Sequence, residues 1–196
     1  MKEDKPISEV ISSYLSEIVT ILQKMPEDQI ERIVHLIEEA RTKGKQIFLF
    51  GNGGSAATAS HIACDLAKGA IVPQKPAIRA FSLTDNVPLI SAWANDLCYE
   101  EVFARQLNNW VQPGDLVIAI SASGGSQNVL NGVDLAKSAG ATTIGLTGFD
   151  GGKLKDMVDI CIVVSSHSME QIEDVHLLLG HIITLCLRKT SPVEGA

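Results

Sequence analysis

The sequence predicts a doubly wound α/β domain, a parallel five-stranded sheet preceded by two helices. Three observations predict it. Five short apolar runs rich in β-branched residues recur along the chain, helix-patterned stretches separate them, and glycine- and serine-rich turns follow two of the runs. Strands covered on both faces read as continuous apolar runs, and their alternation with helices implies a parallel sheet joined by right-handed crossovers.

The leading helices come first. Ile7, Val10, Ile11, Tyr14, Leu15, Ile18, Leu22 and Met25 recur at three-and-four spacing, which predicts one buried stripe. Pro26 opens a second segment, with Glu27 and Asp28 in the first turn, where the helix dipole favours acidic groups. Ile30, Ile33, Val34, Ile37 and Ala40 continue it until Gly44 ends it. These faces are expected to cover both the chain's own sheet and a partner subunit. Strands are expected at 47–50, 77–83, 116–120, 142–146 and 160–164, and helices over 54–68, 99–110, 126–139 and 170–188. The chain then reads as one domain: a helical extension over 1–44, an α/β core over 45–189 and a frayed tail over 190–196.

Composition narrows the function. Hydrophobic residues make up 45% and charged residues 20%, as in a globular protein rather than a disordered one. A formal net charge of -7 gives no electrostatic support for nucleic-acid binding. No apolar run approaches the ~20 residues that span a bilayer. Residues 1–6 are charged and lack the apolar stretch of a secretory signal, so a cytoplasmic location is expected. Cys64, Cys98, Cys161 and Cys186 show no CxxC spacing and read as reduced thiols.

Two turns share one grammar. Gly51-Asn52-Gly53-Gly54-Ser55-Ala56 and Ser121-Ala122-Ser123-Gly124-Gly125-Ser126 each follow a strand and open a helix. Glycine permits close backbone approach, and free N–H groups at a helix start favour an anion. One such turn could be a plain βα connection with a serine cap. Two of them predict a phosphorylated ligand at the carboxyl ends of the strands. The first turn also fits G-x-G-x-x-A, but a dinucleotide site wants an acidic residue ~20 residues on. Asp85 is too distant for that role. Neither turn carries the Gly-Lys-Ser/Thr ending of a nucleoside-triphosphate loop. The stretch 147–152 is a further strand-end turn, a pocket wall or a structural element.

These motifs, with His61, Asn95-Asp96, the 147–152 turn and Glu173-Asp174-Val175-His176 in order, resemble the sedoheptulose-7-phosphate isomerase (phosphoheptose isomerase) family of the SIS, or sugar isomerase, domain group. The resemblance implies a flavodoxin-like five-stranded parallel sheet and a homotetramer with active sites between subunits. It implies a zinc ion and interconversion of sedoheptulose 7-phosphate with a glycero-manno-heptose 7-phosphate. By the same likeness Ser55, Ser121, Ser123 and Ser126, around Ala122, would hold the phosphate. Asn52, Gly53, Asp96, Glu170 and Glu173 would line the sugar, and His61, Asp65, Glu173 and His181 would be the metal and proton-transfer positions. Where the family usually carries Glu, Gln, Asp and Thr, this chain has Asp65, Glu173, Glu170 and Ala122. Those departures leave open an isomerase of another sugar phosphate or a non-catalytic phosphosugar-binding protein.

The residues support part of this independently. His61 and Asp65 are four apart, on one helix face, and N and O ligands suit zinc; an incidental His–Asp pair is the plainer reading. Glu173 and His181 are eight apart, ~12 Å along a regular helix. They share an ion only if the helix begins near Glu173 or one of them serves a neighbouring subunit. His176 is a rival ligand or an ordinary interface histidine. Isomerisation needs a base at carbon and an acid at oxygen; Asp65 is the expected base and His181 its acid/base partner, with His61 and Glu173 as ligands. Asp96 after Asn95 is also an ordinary helix-start signal.

Overall fold

The structure, a computed structural model, describes residues 6–189. The expected tail over 190–196 lies outside the described residues. Five strands, β1 (Gln46–Gly51), β2 (Arg79–Ser82), β3 (Leu116–Ile120), β4 (Thr142–Thr147) and β5 (Ile160–Val163), form one sheet in the order β2-β1-β3-β4-β5. Every pairing is parallel. This is the doubly wound α/β sheet that the alternating runs predict.

Side-chain alternation sends the residues of β1 and β3 to two cores, and β4 adds to the first. Ile47, Leu49, Ile118, Ile120, Ile144 and Leu146 join one cluster with α2 (Glu27–Thr42), α3 (Gly54–Cys64) and α8 (Met169–Lys189). Phe48, Phe50, Val117 and Ala119 join the other with α5 (Val102–Asn108), α6 (Gln127–Ser138) and α7 (Gly152–Met157). Fully burying one such side chain contributes roughly 1.5–3 kcal/mol.

The leading helices behave differently from each other. Helix α2 buries Ile30, Ile33, Ile37, Ala40 and Arg41 against the sheet. Helix α1 (Ile7–Leu22) buries Ile21 alone, and the stripe expected to be buried is largely uncovered: Ile7 is 80% exposed and Leu15 is 61% exposed. The reason is position. Helix α1 reaches α8 through polar contacts, Tyr14 Oη donating to Asp174 Oδ2 at 2.5 Å and Gln171 Nε2 donating to Glu17 Oε2 at 2.7 Å. The hydrogen bond to Asp174 pushes the Tyr14 phenol up to about 12.

Two helices were not legible beforehand. Helix α4 (Val87–Asp96) has no buried residue, and the Asn86 side chain caps it by accepting from Leu89 N at 3.1 Å. Asp96 therefore ends a helix and does not start one. The six-residue α7 follows the 147–152 turn. The helix expected over 99–110 begins as a 3₁₀ turn at Tyr99–Glu101 before α5. Among the described residues, no helix is long and apolar enough to cross a membrane.

Candidate active site

Strand order decides where a ligand goes. The chain steps from β1 to β2 on one side and adds β3 on the other, so the crossovers diverge between β1 and β3 and leave a crevice beyond their carboxyl ends. Gly51 and Ile120, the last residues of those strands, are register partners. The two phosphate-type turns therefore start side by side. A β-carbon on Gly51 would lie 2.7 Å from the Ile120 carbonyl oxygen and 2.8 Å from Ser55 Cβ, so only glycine allows this approach.

The cleft between the turns has a volume of ≈ 280 Å³. Asn52, Gly53 and Ser55 line it from the first turn, and Ser121, Ala122, Ser123 and Ser126 from the second. Met169 and Glu173 of α8 close the third side. Ser121 Oγ lies 3.3 Å from Ser126 Oγ, and Ser123 Oγ accepts from Gly125 N at 3.3 Å. Ser126 is the N-cap of α6 without making a side-chain cap bond, and its hydroxyl turns into the cleft toward Ser121 instead. The starts of α3 and α6 add unpaired N–H groups and the positive ends of two helix dipoles.

The second turn is held from behind. Gly124 has a φ of 61°, and a β-carbon there would fall inside the Gly151 carbonyl. Leu154 N donates to Gly124 O at 2.9 Å, and Gly148 N donates to Ala122 O at 2.8 Å. The 147–152 turn is thus a buttress, and it does not line the cleft.

Helix α3 leads from the first turn to a group of three side chains. His61 and Asp65 are joined by His181 from α8, and their ligand atoms all lie within 4.8 Å of one another. His61 Nε2 and His181 Nε2 are 3.0 Å apart, with Asp65 Oδ2 at 3.5 Å and 3.7 Å from them. In a tetrahedral site with bonds of ~2.0–2.2 Å, neighbouring ligand atoms stand ~3.3–3.6 Å apart. The His61–Asp65 separation falls in that range, the His181–Asp65 separation just beyond it and the His61–His181 separation short of it, so the donor set suits zinc and would close on it with a small shift of the two histidines. Asp65 begins a five-residue π turn, Asp65–Gly69. Ala70 N closes it on Asp65 O at 2.8 Å, and the buried Arg41 guanidinium donates to Ala70 O at 2.5 Å.

Known proteins share both the fold and the sequence pattern. The SIS domain family model matches residues 13–148. A phosphoheptose isomerase of Nitratiruptor sp. is 44% identical over 145 residues, which is 74% of this chain and 77% of that one. The phosphoheptose isomerase of Aliarcobacter butzleri is 37% identical over 90% of this chain and 94% of its own. The chain belongs to the phosphoheptose isomerase family of SIS-domain proteins. The structure of phosphoheptose isomerase GmhA from Neisseria gonorrhoeae matches it with a TM-score of 0.86 and 28% identity, covering 93% of this chain and 98% of that one.

In this SIS-domain protein the remaining expected residues scatter. Helix α8 is continuous from Met169, so Glu173 and His181 do not converge; Glu173 stands at the cleft, outside the group formed by His61, Asp65 and His181. His176 is fully buried, with Nε2 3.0 Å from Thr147 O, and burial lowers its pKa to about 4. It is a neutral core histidine, not a rival ligand. Glu170, in the first turn of α8, is bonded to Ser168 Oγ at 2.7 Å; its own backbone N–H and that hydroxyl hold its carboxyl below the usual range. Asp96 accepts from Asn95 Nδ2 at 2.9 Å, and neither it nor Glu170 lines the cleft within one chain. Two residues escaped the sequence reading: Asn128 and Tyr99, both hydrogen-bonded to Asn52.

Proposed function

We propose that this protein is an isomerase that interconverts sedoheptulose 7-phosphate and a glycero-manno-heptose 7-phosphate. One observation carries the reading: two hydroxyl-rich turns share a cleft at the β1/β3 switch point, and the helix leaving the first turn leads to His61, Asp65 and His181. The names of the relatives agree with it.

Ser55, Ser121, Ser123 and Ser126 would hold the phosphoryl group with backbone N–H groups at the starts of α3 and α6. That grip fixes the far end of the sugar, and orientation of the reacting carbons follows from it. Asp65 removes the proton from carbon and returns it to the neighbouring carbon. His181 moves the proton between the two oxygens. His61 and His181 through Nε2 and Asp65 through one oxygen would hold zinc, which leaves the second Asp65 oxygen and His181 Nδ1 for the proton transfers; the ion when bound polarises the carbonyl and stabilises developing negative charge. Glu173 borders the sugar chain. A phosphosugar-binding protein without catalysis would need only the serine turns, so the three-residue group favours an enzyme.

A homotetramer in the cytoplasm is part of the proposal. The uncovered stripe of α1 supports association, because contiguous exposed apolar surface marks a contact face. Incubation with sedoheptulose 7-phosphate, followed by NMR with and without chelator, tests the whole. An aldose 7-phosphate should appear and chelator should suppress it. Absence of product, with no thermal stabilisation by the sugar phosphate, sinks the reading.

A further inference from the structure

We propose that Asn128 and Tyr99 are positioning residues, which act through Asn52 to set the spacing of the two phosphate-binding turns. The inference rests on the isomerase reading for its substrate, but its geometry stands alone. Asn52 and Asn128 pair reciprocally: Asn52 Nδ2 donates to Asn128 Oδ1 at 2.8 Å, and Asn128 Nδ2 donates to Asn52 Oδ1 at 2.9 Å. Tyr99 Oη gives Asn52 Oδ1 its second hydrogen bond, at 2.9 Å. Val129 N gives Asn128 Oδ1 its second, also at 2.9 Å. Each amide oxygen has two lone pairs, so both are fully engaged. Reversing either amide alone would set N–H against N–H and carbonyl against carbonyl.

The clasp joins three segments that carry expected site residues. Asn52 belongs to the first turn, and Asn128 is the second residue of α6, two positions after Ser126. Tyr99 lies in the 3₁₀ turn that follows α4 and Asp96. Asn131 Nδ2 holds that same turn to α6 by donating to Glu100 O at 3.0 Å. Asn128 is 3% exposed, so its amide is a built contact and not a surface coincidence. Asn52 can therefore spare one N–H at most for a sugar. Its larger effect is to keep Ser55 and Ser126 at a fixed separation.

Tyr99 is 52% exposed, so Tyr99→Phe removes the hydroxyl without threatening the fold. KM for the sugar phosphate should rise about threefold to tenfold, with kcat changed by less than about twofold. Asn128→Ala should raise KM at least as much, provided its melting curve shows a folded protein. In an Asn52→Ala background the Tyr99→Phe effect should vanish. Persistence of the full effect there would show that Tyr99 acts on substrate directly and would overturn the proposal, as would unchanged KM in both single variants. Two readouts need no turnover. Amide exchange over 52–56 and 122–129 should quicken in Tyr99→Phe, and affinity for inorganic phosphate should fall by about the same factor as KM rises. Wild-type protein inert toward sedoheptulose 7-phosphate would sink the isomerase reading alone, while exchange and phosphate affinity still decide the clasp.

Discussion

The Glu173 carboxylate rests against the Cα of Gly54, at the spot where a β-carbon on that glycine would fall inside it. A carboxylate thus lies at the start of α3, in the cleft proposed to take a phosphoryl group. Glu173→Gln removes that charge and keeps the shape. Like-charge repulsion across a partly hydrated cleft is on the order of 1 kcal/mol, so sugar-phosphate affinity should rise roughly fivefold at low ionic strength. The gain should shrink in salt. Calorimetric titration at two salt concentrations checks it, and equal affinities at low salt would place the carboxylate clear of the phosphoryl group.

Asp65→Asn tests the base. The variant keeps a polar side chain of the same size at the head of the π turn, so its melting temperature should stay close to wild type. Turnover should fall at least about 100-fold. Zinc retained after purification should also drop, because the amide is a poorer ligand. Wild-type turnover in a variant that still carries metal would refute the assignment.

His176 predicts an acid-sensitive core. Burial lowers its pKa from 6.5 to about 4, so the unfolded chain binds this proton more readily than the folded one. Its contribution is complete above about pH 6.5 and is lost as pH falls toward 4, a total of about 3 kcal/mol. His176→Gln can donate to Thr147 O without titrating. Urea melts between pH 4.5 and 7.5 should show a shallower acid limb in the variant, by up to one proton. Parallel limbs would contradict the burial argument.

The stripe on α1 predicts self-association. Leu15→Asp puts a charge in the middle of Ile7, Ile11 and Val19, all more than half exposed in the single chain. Wild type should sediment as a tetramer and the variant as a smaller species, because an unpaired charge is costly to bury. Identical sedimentation would free that face from any interface.

How far the chain could be read follows the range of its interactions. The central strands β1 and β3 were legible because burial on both faces demands runs such as Ile47–Phe50, whereas β2, at the sheet edge, is largely uncovered. The two turns were legible as strand–glycine–helix junctions, and the His61–Asp65 pair from its spacing. Helix α4 was hidden because nothing in it is fully buried: only Ile90, Trp93 and Ala94 pack, partly exposed, against the second core. Helix α1 shows the reverse error, an apolar stripe that its own chain covers only at Ile18, Ile21 and Leu22. His181 meets His61 across 120 residues, and Asn128 meets Asn52 across 76. Such pairs leave no local spacing, and only the sheet order brings them together.

The widened turn at Asp65–Gly69 couples chain length to chemistry. Deleting one residue from 66–68 would restore ordinary helical winding, and the following segment would swing by about 100°. Ala70 would leave the buried Arg41 guanidinium, which would keep Glu38 but lose its carbonyl partner, and the carboxylate at position 65 would lose the backbone closure behind it. A shortening that mends the helix would therefore damage the protein twice, once in its interior and once at its proton-transfer group.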